Sequence, residues 1–275
     1  MDFSRTAPSR LGPELPWPKK RLAKLGKAIA AEEPVPDGCP HTDEVLSWYL
    51  ELGLAVHQVI ADLEWEPLLG HREPNISWRI KTIDTLREKL QRDRRFPLPN
   101  IDDIAGVRFE AEMTLDEQDA VVNALEALFR DRGVRVETRD YRVTGGHSGY
   151  RAVHLLLHLS GRVELQIRTE LQGRWANLYE VLADRVGRQI RYDQLPESPA
   201  QRDLVVDVQR LSSEFLRDME EGLRRDRILS FDHDPMADTT PSAIEVEERR
   251  RLWNEAKLRL RRLEDTIREL GPELL

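Results

Sequence analysis

The chain has 275 residues, 40% of them hydrophobic and 33% charged, with a formal net charge of -8; it can bury one good core with helical additions, and its acidity argues against a polyanion as default partner. A single cysteine, Cys39, excludes an internal disulfide framework and a cysteine metal cluster. The basic stretch near residue 20 is followed by Ala28-Ile29-Ala30-Ala31 and then Glu32-Glu33, so it reads as neither signal peptide nor anchor; no apolar run is long enough to cross a bilayer, and the expectation is a cytoplasmic chain with no membrane partner.

Residues 1–40 read as a flexible, partly basic segment, Pro-rich as far as residue 16. Within it, Pro18 to Lys27 is a basic amphipathic stretch, either a solvated helix face or a hold on an RNA backbone. After Glu33-Pro34-Val35-Pro36-Asp37-Gly38 a helical pattern is predicted over about 42–69. From Ser77 to Arg94 the apolar residues Ile80, Ile83, Leu86 and Leu90 form a helical stripe, with Arg79, Lys81, Arg87 and Lys89 off it. Asp103 then precedes a short apolar strand, Ile104 to Phe109, in which Gly106 would permit a close backbone approach. Thr114 and Glu117 form a capping box opening a helix with the stripe Val121, Ala124, Leu125 and Leu128, closed by Asp131-Arg132-Gly133.

Two alternating runs follow, joined at Ser160-Gly161. In Tyr150 to Leu159, Tyr150 and His154 share one face and Val153, Leu155 and Leu157 the other; in Val163 to Thr169, Glu164, Gln166 and Arg168 oppose Val163, Leu165 and Ile167. The pair reads as a hairpin bringing Tyr150, His154 and Glu164 onto one surface. Beyond it two helices are predicted, about 199–230 and about 243–270, the second opened by Ser242 and Glu245 and stopped by Gly271-Pro272. The succession is that of an α/β protein with a mixed β-sheet flanked by helices, a central domain over 41–195 and a helical C-terminal extension over 196–275. The last helix is too short for an autonomous coiled coil, so packing on the central domain is the favoured reading, with self-association or antitoxin binding as the alternative.

Asp103 and Glu164 are the chemically informative acids. Magnesium takes a few carboxylates together with substrate phosphate oxygens, so two acids beside a cationic helix form a minimal kit for a nucleoside triphosphate. No G-x-x-x-x-G-K-[ST] loop is present, and Gly145-Gly146 reads as a mobile turn. There is no H-E-x-x-H, and the seven histidines do not cluster at ligand spacing.

In order, R-x-K at Arg79 and Lys81, D-x-x-G-x-R at Asp103 to Arg108, G-Y-R-x-x-H at Gly149 to His154 and E-x-Q-x-R-T at Glu164 to Thr169 make a specific series. From about Gly70 to Tyr192 the chain resembles the synthetase domain of the RelA/SpoT alarmone enzymes. The resemblance implies a nucleotidyltransferase-like sheet with helical extensions and transfer of the β,γ-diphosphate of ATP to the 3′-hydroxyl of GDP or GTP. It implies that Arg79 and Arg108 flank the adenine, that Lys81 and Lys89 meet the ATP phosphates, and that Asp103 holds Mg²⁺, with Glu164 sharing the metal or drawing the proton from the attacking hydroxyl. Tyr150 would stack on the acceptor base and His154 contact its phosphates, with Gln166 and Arg168 in support. The hydrolase half of the long family members has no counterpart, since Asp232-His233-Asp234 has the wrong order.

Departures from the family pattern fall on the acceptor side. Relatives making guanosine alarmones tend to read P-K-x-N-G-Y-R-S-x-H, whereas this chain has Gly145 to His154 without the lysine and asparagine, and Gly173 stands where small synthetases often place asparagine. Two alternatives to a guanosine acceptor therefore stay open. One is a toxin of a toxin–antitoxin pair that modifies the 3′ end of tRNA or adenosine nucleotides; the other is an inactive nucleotide-binding sensor.

Overall fold

The computed structural model describes residues 11–93, 96–142, 147–222 and 243–269. They form two compact units: the described residues of Met1–Phe109 with Val121–Arg139 and His154–Ile167, and those of Glu110–Ala120, Asp140–Val153 and Arg168–Leu275. The Gly145-Gly146 turn, Asp232-His233-Asp234, Ser242 and Gly271-Pro272 lie outside the described residues.

The first unit is built on a mixed five-stranded sheet, order β1-β2-β5-β4-β3, from β1 (Asn75–Ile80), β2 (Ala105–Ala111), β3 (Arg135–Asp140), β4 (Val153–His158) and β5 (Arg162–Thr169). In β2, Ala105, Val107, Phe109 and Ala111 are buried while Gly106, Arg108 and Glu110 alternate with them on the other face. In β5 the buried Val163, Leu165 and Ile167 leave Glu164, Gln166 and Arg168 opposite. Each buried aliphatic side chain contributes about 1.5–3 kcal/mol; burial has period two in β2, whereas in β5 Gln166 and Arg168 are buried along with the aliphatic residues. The β4–β5 hairpin is closed by Leu159 N–H donating to the Gly161 carbonyl at 2.8 Å. Gly161 is required by packing, since a Cβ there would sit 2.7 Å from the Trp48 ring.

Several predicted elements differ from the observed ones. Residues 19–31, expected within a flexible segment, form α1 (Lys19–Ala31), which buries Leu22, Leu25 and Ile29 while Lys19, Lys20, Arg21, Lys24 and Lys27 stay exposed. The long helix over 42–69 breaks after α2 (Thr42–Ala61) and resumes as α3 (Glu66–Leu69), with Pro67 in its first turn. The helix expected over Ser77 to Arg94 is strand β1 followed by α4 (Ile83–Arg92). Thr82 caps α4 by accepting from the Thr85 N–H, so Arg79 lies on a strand and Lys81 in the link, not on the helix with Arg87 and Lys89. Helix α5 (Leu115–Asp131) opens with the reciprocal Thr114–Glu117 capping box, but its stripe is Val121, Val122, Leu125 and Phe129, and Ala124 is exposed.

The second unit is helical. Thr169 and Gln172 form a capping box for α6 (Glu170–Val186), followed by α7 (Pro199–Arg210), a π-helical turn at Leu211–Leu216, helical residues 217–222, and α8 (Ala243–Glu269). Helix α8 packs on α6 and buries Trp253, Ala256, Leu260 and Ile267 in the core of this unit. Lys257 bridges Glu170 at 2.5 Å and Glu112 at 2.9 Å. Trp175 and Tyr179 stack at 4.9 Å, and the Trp175 indole N–H donates to the Val208 carbonyl at 2.7 Å, locking α7 to α6.

Candidate active site

In the first unit the polar face of the sheet gathers most of the predicted residues. Lys81, in the link after β1, and Lys89, on α4, both reach Asp103: Lys81 Nζ lies 3.0 Å from Oδ2 and Lys89 Nζ 2.5 Å from Oδ1. The Lys81 N–H donates to the Ile104 carbonyl at 2.9 Å, pinning the link beside β2. The two lysines and the acid, with Lys89 and Asp103 14 residues apart in sequence, thus form one partly exposed cluster. An ammonium is a point charge that readily exchanges a carboxylate for a phosphate oxygen, so the cluster is a store of positive charge held by one acid.

Glu164 is more enclosed. Its Oε1 lies 3.0 Å from His154 Nδ1, which must carry its hydrogen to face a carboxylate, and its Oε2 accepts from Gln166 Nε2 at 2.7 Å. Burial pushes its carboxyl up, but the hydrogen bond and charge of His154, the Gln166 amide and the Lys89 charge outweigh this and hold it down at about 2. Glu164 is therefore ionised throughout the physiological range. The influence of Lys89 on it couples the two acids through one lysine.

Arg79 is exposed on β1, and Arg108 lies on the polar face of β2. Gly106 is not crowded: a Cβ there would lie 3.8 Å from the Glu164 carbonyl and 4.0 Å from Arg79 Cγ, ordinary contacts that a methyl would tolerate. The close approach expected at Gly106 is absent. Among the described residues no three His, Cys, Asp or Glu side chains gather to hold a metal.

Tyr150 and Arg168 belong to the second unit. Tyr150 precedes β4 rather than starting it, so the expected strand alternation with His154 does not hold; His154, on β4, faces Glu164. Arg168 donates to the Tyr150 hydroxyl at 2.7 Å, with its guanidinium carbon 5.1 Å from the ring centroid, and pairs with Glu110 at 3.4 Å. A guanidinium at a ring edge and face stiffens an aromatic platform.

The departures from the family pattern acquire physical reasons here. Ser148, at the asparagine position, adopts φ 63°, ψ 22°, a left-handed conformation that asparagine tolerates better than serine. Its backbone N–H and hydroxyl compensate by donating to Asp193 Oδ1 at 2.8 and 2.9 Å, with the hydroxyl also 2.6 Å from the Ile190 carbonyl. Gly173 leaves the room that Glu110 occupies: a Cβ there would meet its carboxyl group at 2.7–2.9 Å.

Sequence reasoning missed a buried polar network in the same unit. Glu220 pairs with Arg151 at 2.6 Å and accepts from the Thr169 hydroxyl at 2.6 Å and from Gln172 at 3.3 Å. Gln172 continues through Gln118 to Arg142, which pairs with Asp119 and Asp140. The only sequence signal was the acid-and-amide capping pattern T-E-L-Q at Thr169 to Gln172.

With fold and side-chain geometry in place, comparison with known proteins is decisive at the level of the family. Residues 78–182 match the family described as a region found in RelA / SpoT proteins. An uncharacterized protein of Mycobacterium tuberculosis is 41% identical over 187 residues, 67% of this chain and 66% of that protein. The GTP pyrophosphokinase YwaC of Bacillus subtilis is 30% identical over 159 residues, 50% of this chain and 73% of that protein. The small alarmone synthetase 1 of Bacillus subtilis, in a structure bound to its product pppGpp, superposes with a TM-score of 0.51 at 25% identity, covering 68% of this chain and 96% of that one. Small alarmone synthetase 2 of the same organism has the same fold, with a TM-score of 0.52 at 22% identity over 67% of this chain and 98% of that one. The chain belongs to the RelA/SpoT family. It spans just under two thirds of the mycobacterial relatives it matches.

Proposed function

We propose that this protein is an ATP-dependent pyrophosphokinase that moves the β,γ-diphosphate of ATP to the 3′-hydroxyl of GDP or GTP. The observation that carries the reading is the cluster of Lys81, Lys89 and Asp103 beside the ionised Glu164 on one face of the sheet, in a family whose matched members include GTP pyrophosphokinases. The acceptor 3′-oxygen forms its bond to the β-phosphorus, the bond from that phosphorus to the α,β-bridging oxygen breaks, AMP leaves with the bridging oxygen, and the hydroxyl proton is released to solvent.

The donor set suits Mg²⁺: two hard carboxylates, Asp103 and Glu164, that phosphate oxygens would complete. When bound, the ion neutralises charge on the transferring phosphates. ATP would draw Lys81 and Lys89 off Asp103 onto its phosphates, leaving that carboxylate open, while Arg79 and Arg108 flank the adenine. A carboxylate held near 2 is a poor proton acceptor at neutral pH, which favours metal holding and orientation of the hydroxyl by Glu164 over general-base work. His154 orients Glu164 and would contact the acceptor phosphates. Tyr150, stiffened by Arg168, is the stacking surface for the acceptor base.

The five exposed cations of α1 favour a second acceptor, the 3′ end of tRNA, with an antitoxin as the natural partner of such an activity. Product identity tests the first reading. With ATP, Mg²⁺ and GDP, AMP should appear in equal amount with a guanosine nucleotide bearing a 3′-diphosphate, identified by phosphorus NMR; AMP formed with GDP unaltered contradicts it.

A further inference from the structure

Glu220 stands 69 residues beyond Arg151 in sequence, yet its carboxylate grips the chain at two adjacent points. Arg151 directly follows Tyr150, and Thr169 directly follows Arg168, the residue that donates to the Tyr150 hydroxyl. One buried carboxylate, with Oε2 2.6 Å from Arg151 Nη1 and Oε1 2.6 Å from Thr169 Oγ1, therefore ties the neighbours of both halves of the Tyr150–Arg168 platform. The Glu220 and Arg151 side chains are 1% and 4% exposed, so water cannot substitute for either partner.

The same extension supports the other side of Tyr150. Gly149, at φ +84°, runs so close to α7 that a Cβ would stand 2.9 Å from the Gln209 carbonyl, and Gln209 Nε2 donates to the Tyr179 hydroxyl at 2.9 Å. Between Gln209 and Glu220 lies the π-helical turn Leu211–Leu216. A π turn adds a residue to the helix and rotates everything after it by about 100°. That rotation brings Glu220 inward while Phe215 and Glu214 stay on the outer side.

We propose that Glu220 is a positioning residue for the acceptor: through Arg151 and Thr169 it fixes the Tyr150–Arg168 platform on which the acceptor base stacks. The inference rests on the reading of Tyr150 as the acceptor platform. It gives the C-terminal extension a part in acceptor binding rather than in ATP binding.

Breaking a buried pair by removing one partner destabilises strongly, whereas replacing both members by apolar side chains is often neutral. The test therefore uses the full-length protein, Glu220→Gln, and the double variant Arg151→Met with Glu220→Met, measuring melting temperature, ATP dissociation constant, GDP dissociation constant, and KM and kcat for GDP. The double variant, which also removes the acceptor of the Thr169 hydroxyl, should melt moderately below the wild type, remain folded and bind ATP within about twofold, while its GDP dissociation constant and KM rise about tenfold, a modest part of what a stacked base contributes. Glu220→Gln, the same shape without the charge, should move in the same direction and serves if the double variant fails to fold. A variant that remains folded and binds ATP normally with GDP constants unchanged would overturn the proposal and leave the pair a structural bridge only. Wild-type protein that binds neither GDP nor GTP would instead overturn the acceptor reading, and with it the role given to Glu220.

Discussion

Replacing Glu164 with glutamine keeps the shape of the side chain and removes a charge that the structure holds at about 2, against an ordinary 4.5. A shift of this size corresponds to about 3 kcal/mol of stability at neutral pH. Because the folded value is depressed, that contribution is complete above about pH 4.5 and is lost as the pH falls through the folded value near 2. Near pH 3 about 1 kcal/mol of it should remain. Glutamine would also turn an amide towards either His154 Nδ1 or Gln166 Nε2, both of which donate to the carboxylate. Carbon-13 NMR of carboxyl-labelled protein reads the carboxyl directly: the resonance missing from Glu164→Gln should show no titration between pH 7 and about 3.5 in the wild type. Urea unfolding at pH 7 should find the variant less stable, with the gap narrowing in acid. A resonance that titrates near 4.5, or a stability gap that does not change with pH, would refute the arrangement of His154, Gln166 and Lys89 around this acid.

Lys89→Ala should raise the Glu164 carboxyl by removing one of the charges that lowers it; it should also weaken ATP binding about tenfold through loss of one phosphate contact, as calorimetry would show. Gly149→Ala places a methyl in a left-handed position against backbone and should cost about 2–4 kcal/mol in denaturant unfolding while raising the KM for the acceptor. Trp253→Ala empties the α6–α8 core and should cost about 3–5 kcal/mol without changing the ATP dissociation constant measured on folded protein. Tyr150→Ala should raise the acceptor KM about 5- to 150-fold, the worth of one stacked base, with ATP binding unaltered.

Strands β2 and β5 are legible because residue type alternates along them: Val163, Leu165 and Ile167 alternate with Glu164, Gln166 and Arg168, although Gln166 and Arg168 are themselves buried. Edge strands gave no such signal. β3 is Arg135-Val136-Glu137-Thr138-Arg139-Asp140, polar on both faces, and β1 was hidden because Ile80 is in helical register with Ile83, Leu86 and Leu90. The Thr82 cap, which separates strand from helix, was the overlooked cue. The candidate site residues stand where the family motifs are contiguous; the alternation that places Tyr150 on a strand runs through Arg151 and Ala152, a segment that precedes β4. The Arg151–Glu220 pair joins residues 69 apart through a π turn, and no local pattern encodes such a contact.

Transfer of label from ATP marked at the γ-phosphate, with Mg²⁺ and with GDP, GTP, ATP or deacylated tRNA offered separately to the wild type and to Glu164→Gln, tests the central claim most directly. The account predicts label on GDP and GTP, falling by several orders of magnitude in the variant while ATP binding survives. Label on tRNA alone, or no Glu164-dependent transfer to any acceptor, would contradict it.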